Sequence, residues 1–167
     1  MRKVVAGLFL FVLFGFLVPE PRIIPVDAAT EKDWNKNTFW FYPWGSSIVH
    51  KGIDIFGKKG TPVIASTHIL IIYSGNIKKG GNVILGLGPK WRLHYFAHME
   101  STSTNIGNFI MAGEKIGTLG DSGNALNKPA HLHFSLLTLF PYFWKIDNDI
   151  QGGKKAIYLN PDEYFRK

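Results

Sequence analysis

From Phe39 to Leu139 the chain alternates short runs rich in β-branched and aromatic residues with turns built on glycine, proline and asparagine. Gly57-Lys58-Lys59-Gly60-Thr61-Pro62, Ser74-Gly75-Asn76, Lys79-Gly80-Gly81-Asn82 and Asp121-Ser122-Gly123-Asn124 each interrupt an apolar run. No stretch beyond the N-terminal segment is long enough, or carries the 3.6-residue apolar period, for a long amphipathic helix. The runs between turns therefore predict strands: Ile48 to Ile55, one or two over Val63 to Tyr73, a hairpin of Val83 to Leu87 with Trp91 to Met99 around Gly88-Pro89, short strands at Phe109 to Gly113 and Lys115 to Gly120, and a strong strand from Leu132 to Leu139. Pro161 opens one expected helical turn near the end. At 167 residues there is room for one domain with a real core, so the expected fold is all-β, a single domain of antiparallel sheet.

The N-terminus has a different texture. Arg2 and Lys3 precede an apolar run from Val4 to Val18 that Pro19 ends. This predicts a hydrophobic helix ahead of the domain, acting as a signal peptide or as an N-terminal membrane anchor. The run is short for a spanning helix, which needs ~20 residues. Val26-Asp27-Ala28 offers small residues for cleavage after Ala28. The chain thus divides into a signal or anchor over 1–28, a linker over 29–44 and the domain over 45–167, with export to the periplasm, the cell surface or the medium. Export excludes nucleic acid as partner. The net charge of +7 suits either attraction to anionic wall polymers and lipid headgroups or simple solubility, with equal weight.

Cysteine is absent, which excludes disulfides, thiolate metal sites, a cysteine nucleophile and lipidation on cysteine. No Gly-x-Ser-x-Gly elbow is present to supply an activated serine. Chemistry then rests on histidine and carboxylate. His131 and His133 sit two apart on a strand, so both rings face one side, roughly 6–7 Å apart. His50 and Asp54, four apart, share a face on the same reasoning. A nitrogen and a carboxylate oxygen suit zinc, and one histidine of the His131/His133 pair completes three protein ligands. Three ligands leave a fourth position open for water, the mark of a catalytic zinc site. The remaining histidine of the pair and His98 are candidates for proton transfer or oxyanion stabilisation. Spacing does not say which of the pair binds metal. His94 shares the face of His98 if that strand is regular, at the rim of the site or, the favoured reading, in solvent. His68 reads as a surface turn.

These segments resemble the lysostaphin-type, or LytM-domain, zinc endopeptidases, the twenty-third metallopeptidase family. His50-Lys51-Gly52-Ile53-Asp54-Ile55 is similar to H-x-G-x-D-[IL], and Gly60-Thr61-Pro62-Val63 to G-T-P-[VI]. Phe96-Ala97-His98-Met99 is similar to Y-[AG]-H-[LM], and Gly113-Glu114-Lys115-Ile116-Gly117 to G-[QD]-x-[IV]-G. Gly120-Asp121-Ser122-Gly123-Asn124 resembles G-x-[ST]-G-x, and Ala130-His131-Leu132-His133-Phe134 resembles P-H-L-H-F with Ala130 in place of the proline. The blocks fall in order between residues 45 and 139.

The resemblance implies an antiparallel β fold with an open substrate groove. It implies one zinc ion per chain on His50, Asp54 and His133, with His131 and His98 as catalytic histidines. It implies hydrolysis of peptide bonds in peptidoglycan stems or cross-bridges; another exported peptide is the alternative substrate, and a monomer is the expected state. The competing expectation is a non-catalytic LytM-type domain that binds the wall and activates another hydrolase; such domains typically lose metal ligands, whereas all five positions are filled here. Membrane association through the N-terminal segment is a further expectation. Residues 140–158 match no block.

Overall fold

The computed structural model describes residues 2–166. In chain order its elements are α1 (Arg2–Leu17), β1 (Ile53–Phe56), β2 (Pro62–Ile64), β3 (Ile69–Ile77), β4 (Gly81–Gly88), β5 (Arg92–Thr102), β6 (Phe109–Ile110), β7 (Lys115–Leu119), β8 (His131–Thr138), β9 (Tyr158–Leu159) and α2 (Pro161–Phe165). The strands join one antiparallel, open sheet in the order β1-β8-β5-β4-β3-β6. β7 bridges β5 to β2, and β9 adds to β8. The expected all-β domain and the N-terminal helix are both present.

Side-chain alternation fixes the register that matters for the site. On β8, Leu132, Phe134 and Leu136 are fully buried in the core, which turns His131, His133 and Ser135 to the other face. On β1, Ile53 and Ile55 point inward and Asp54 outward. The two strands pair so that Asp54 lies directly opposite His133. A one-residue slip would expose three large core side chains on β8, each worth about 1.5–3 kcal/mol when buried, so this pairing is strongly specified.

β5 breaks the alternation beside the site. Asn82 and Ile84 on β4 face Met99 and Phe96 on β5, so β5 carries an extra residue there. His98 takes the extra turn, with φ +63°. Phe96 and Met99 are both fully buried in the core. In a regular strand His98 would follow His94 and Phe96 inward; the bulge instead delivers it to the face of His131 and His133. His94 therefore does not share a face with His98. It is fully buried rather than solvent-exposed, with Ser66 Oγ 2.8 Å from its Nδ1 as a hydrogen-bond partner inside the core. His68 is half-buried at a bend, its Nδ1 accepting from the Ala112 N–H at 3.0 Å.

Residues 20–26 run as an extended strap over the sheet, and turns carry the chain on to Trp34. Pro21 and Pro25 favour extended backbone on either side of them. Ile23 N–H donates to Ser66 O, Asp27 N–H to Pro62 O and Ile64 N–H to Pro25 O, at 2.9 to 3.1 Å. Val26 bridges to Val63 and is buried, and Trp34 donates its indole N–H to Asp162 Oδ1 at 3.0 Å. Glu20, its side chain almost wholly enclosed, pairs with Arg92 at 2.7 Å. The expected turn after Pro161 is α2, capped by the Asn160 side chain, which accepts from Asp162 N–H at 3.1 Å. α1 packs along Trp91, and none of the described helices is long and apolar enough to cross a membrane.

Candidate metal centre

Three atoms from two segments converge on the open face of the sheet. His50 Nε2 is 3.1 Å from Asp54 Oδ1 and 3.0 Å from His133 Nδ1, and His133 Nδ1 is 2.8 Å from Asp54 Oδ1. Asp54 and His133 meet through the β1–β8 register. His50 lies ahead of β1 and reaches them across Gly52. A Cβ at Gly52 would collide with the Phe134 carbonyl oxygen and come within 3.0 Å of the His133 ring, so only glycine lets this turn lie against β8.

Tautomers are set from outside the triangle. His50 Nδ1 is 3.1 Å from the Thr38 carbonyl oxygen, which can only accept, so Nδ1 carries the proton. His50 Nε2 then faces a carboxylate oxygen and a second imidazole nitrogen. On His133 it is Nε2 that is engaged, 2.9 Å from Ser135 Oγ, leaving Nδ1 to face the triangle. Three acceptors so close together repel unless a cation or a proton lies among them. Edges of about 3 Å are near those of three ligands held 2.0–2.2 Å from one zinc ion, and the donor set of two imidazoles and a carboxylate suits that ion. The residues fit a metal, and the outer hydrogen bonds orient them as a metal site requires.

The electrostatics agree. Burial alone would push the Asp54 carboxyl up, but the His133 and His50 imidazoles outweigh it and hold it well below the usual carboxylate range. Burial pulls His133 down despite the attraction of Asp54. Burial, then the neighbouring His133, pulls His98 down to about 4, so it is neutral at neutral pH.

His98 and His131 stand beside the triangle. Their rings are 5.1 Å apart, and His98 lies 6.0 Å from the His133 ring. Each is locked by a carbonyl: His131 Nδ1 by Pro129 O at 2.7 Å, His98 Nδ1 by Ser122 O at 2.9 Å. Each therefore keeps its Nε2 lone pair free of those carbonyls. The structure thus brings together all five residues singled out in the sequence.

Sequence reasoning missed several neighbours. Trp44 stacks on His50 with ring centroids 4.1 Å apart. Tyr95 lies 6.3 Å from the His133 ring, and burial pushes its phenol up to about 12, so it remains a proton donor. Ser135 could have been found, being two residues past His133 and so on its face. Trp44, Thr38 and Tyr95 carry no signal in spacing.

The sequence pattern of peptidase family M23 matches residues 48–142, more than half of the chain and inclusive of His50, Asp54, His98, His131 and His133. The chain belongs to peptidase family M23. Among relatives of this M23 chain, the murein hydrolase activator NlpD of Salmonella dublin is 27% identical over 138 residues, covering 73% of this chain and 36% of that protein. Lysostaphin of Staphylococcus staphylolyticus is 32% identical over 96 residues, covering 56% of this chain and 20% of that protein. The chain thus spans roughly a third or less of the length of these two curated relatives. The solved catalytic domain of the antimicrobial peptidase lysostaphin from Staphylococcus simulans superposes with a TM-score of 0.63 at 24% identity, over 78% of this chain and 90% of that one, which establishes the lysostaphin-like fold.

Proposed function

We propose that this M23 chain is a zinc-dependent endopeptidase of the cell envelope, exported and acting on peptide bonds in peptidoglycan stems or cross-bridges. One observation carries the reading. A three-atom ligand triangle and two carbonyl-locked histidines with free Nε2 lone pairs share one open face.

His50 Nε2, Asp54 Oδ1 and His133 Nδ1 would hold one zinc ion. When bound, zinc supplies Lewis acidity, polarising the scissile carbonyl and making water a competent nucleophile near neutral pH. His131 and His98 provide the proton handling. Each presents an Nε2 lone pair, and one of the two takes a proton there from the attacking water. The resulting imidazolium stabilises the developing oxyanion or returns the proton to the leaving amine nitrogen. Pro129 O and Ser122 O hold the rings so that no tautomer exchange is needed first. The open sheet face suits a branched polymer better than a closed pocket would.

A second reading draws on the similarity to a murein hydrolase activator over 73% of the chain. In it the domain binds the wall and stimulates another hydrolase. The complete ligand set favours the enzyme. Incubating the purified protein with sacculi, then identifying released muropeptides by mass spectrometry, separates the two. New amine ends at a defined peptide bond support the endopeptidase. No release, together with stimulation of an added wall hydrolase, supports the activator.

A further inference from the structure

Two exposed apolar stretches of the chain touch each other. The first is α1. Val4, Val5, Leu8, Phe9, Leu10 and Phe14 are each 60–67% exposed. At 100° per residue they project around the whole helix axis. The second is the loop over residues 139–146, whose second half falls outside the family match. Its Phe143 and Trp144 are 70% and 77% exposed, and Trp144 is held outward by stacking on Tyr142, centroids 5.0 Å apart and planes within 13°. Phe16 of α1 lies against Phe140 of the loop at 5.1 Å. Trp91 closes the junction, its ring 5.0 Å from Phe11 and its indole N–H donating to Val12 O at 2.8 Å.

The chemistry selects the occupant. A protein partner covers one side of a helix and needs a polar remainder; a helix apolar on every side is matched by hydrocarbon. Sixteen residues make about 24 Å of helix, short of the ~30 Å hydrocarbon core. A helix of that length, joined to the loop at Phe16–Phe140, keeps the loop close to the surface through which it enters. Tyr142, Trp144 and Lys145 are residue types that settle at the headgroup boundary. The net charge of +7 favours an anionic surface.

We propose that α1 and the 139–146 loop form one bilayer-contact surface, with Phe143 and Trp144 seated at the headgroup boundary of an anionic membrane. The surface holds the domain against the lipid while the open sheet face stays free for substrate.

The full chain is mixed with vesicles of phosphatidylglycerol and phosphatidylethanolamine, with and without acyl chains brominated near the headgroup. Subtracting the emission of a Trp144→Phe variant isolates Trp144 from the other tryptophans. The expected result is a blue-shifted Trp144 component that the brominated lipid quenches by at least about half. A water-like, unquenched Trp144 on a protein that nonetheless floats with the vesicles overturns the proposal, because α1 alone would then hold it. In parallel, a Phe143→Ser/Trp144→Ser variant with an unchanged melting temperature should partition at least about tenfold more weakly. Unchanged partitioning overturns the proposal. So does shielding of Trp144 in vesicle-free solution that grows with protein concentration, since a second copy would then cover the loop.

Discussion

His94 makes the fold acid-sensitive in a way that can be measured apart from any metal. It is fully buried, its ring 6.0 Å from that of Phe134 and 5.8 Å from that of Tyr164, and its Nε2 has no hydrogen-bond partner. Burial, reinforced by the positive charge of Arg92, pulls it down to about 3. Unfolded, the same imidazole titrates near 6.5. Between those values the unfolded chain binds a proton that the folded chain refuses, so His94 favours the fold fully above pH ~6.5 and progressively less as pH falls towards 3. At pH 5 the loss is about 2 kcal/mol, a large part of the 5–15 kcal/mol that holds a typical domain. The assay is urea unfolding of wild type and His94→Leu, both in chelator, at pH 7.5 and pH 5. The variant also leaves Ser66 without its partner, but that cost does not change with pH and cancels between the two conditions. Wild type should lose about 2 kcal/mol more than the variant between pH 7.5 and 5. Equal losses would refute the reasoning and place the charged imidazole in contact with solvent or an unseen acceptor.

Three other outcomes test the site and its supports. His133→Ala should lose both bound zinc and turnover, whereas His131→Ala should keep about one zinc per chain by elemental analysis and lose at least about a hundredfold in turnover; the reverse pattern would exchange the two roles. A chain starting at residue 30 should unfold at least about 3 kcal/mol more easily in urea than one starting at residue 19, since it lacks the buried Val26 and leaves the largely enclosed Arg92 without Glu20; equal midpoints would show that the strap contributes nothing. Gly52→Ala should weaken zinc affinity at least tenfold in a competition titration, because the new methyl meets Phe134 O and crowds His133; wild-type affinity would mean that the turn before β1 is free to shift.

The sheet was legible in the sequence where side-chain period and turn chemistry coincide. Leu132, Phe134 and Leu136 alternate with His131, His133 and Ser135, and both strand and facing direction follow from that. The hairpin of β4 and β5 follows from Gly88-Pro89. The bulge did not follow: Phe96-Ala97-His98-Met99 reads as a regular strand, and only pairing with Asn82 and Ile84 reveals the extra residue. One consequence is that His94 and His98, assigned one face by a period of two, lie on opposite faces. β1 was also expected from Ile48, but begins at Ile53, because His50 pairs its backbone with Trp40 and Phe41 instead of with β8. The ligand residues could be picked out from residue type and spacing, and the choice of His133 over His131 needed the family resemblance. The carbonyls that set tautomers are silent in sequence, since every residue has one.

Those carbonyls also show where the site depends on the rest of the molecule. Asp54 and His133 are fixed by adjacent strands, so their separation is as rigid as the sheet. His50 is held differently. Trp40 N–H donates to its carbonyl at 2.7 Å, its own N–H donates to Phe41 O at 3.0 Å, Thr38 O takes its Nδ1 proton, and Trp44 covers its ring. All four contacts come from residues 38–44, a segment outside the sheet. Removing the Trp44 ring leaves the backbone contacts intact but uncovers an imidazole that is now 1% exposed, letting water compete at the one ligand that no strand positions. Trp44→Ala should therefore raise the zinc dissociation constant by about tenfold with little change in unfolding midpoint of the metal-free protein, as read by competition with a chromophoric chelator and by urea. A Trp44→Ala protein with wild-type zinc affinity would refute that dependence and assign the stack to the groove wall alone.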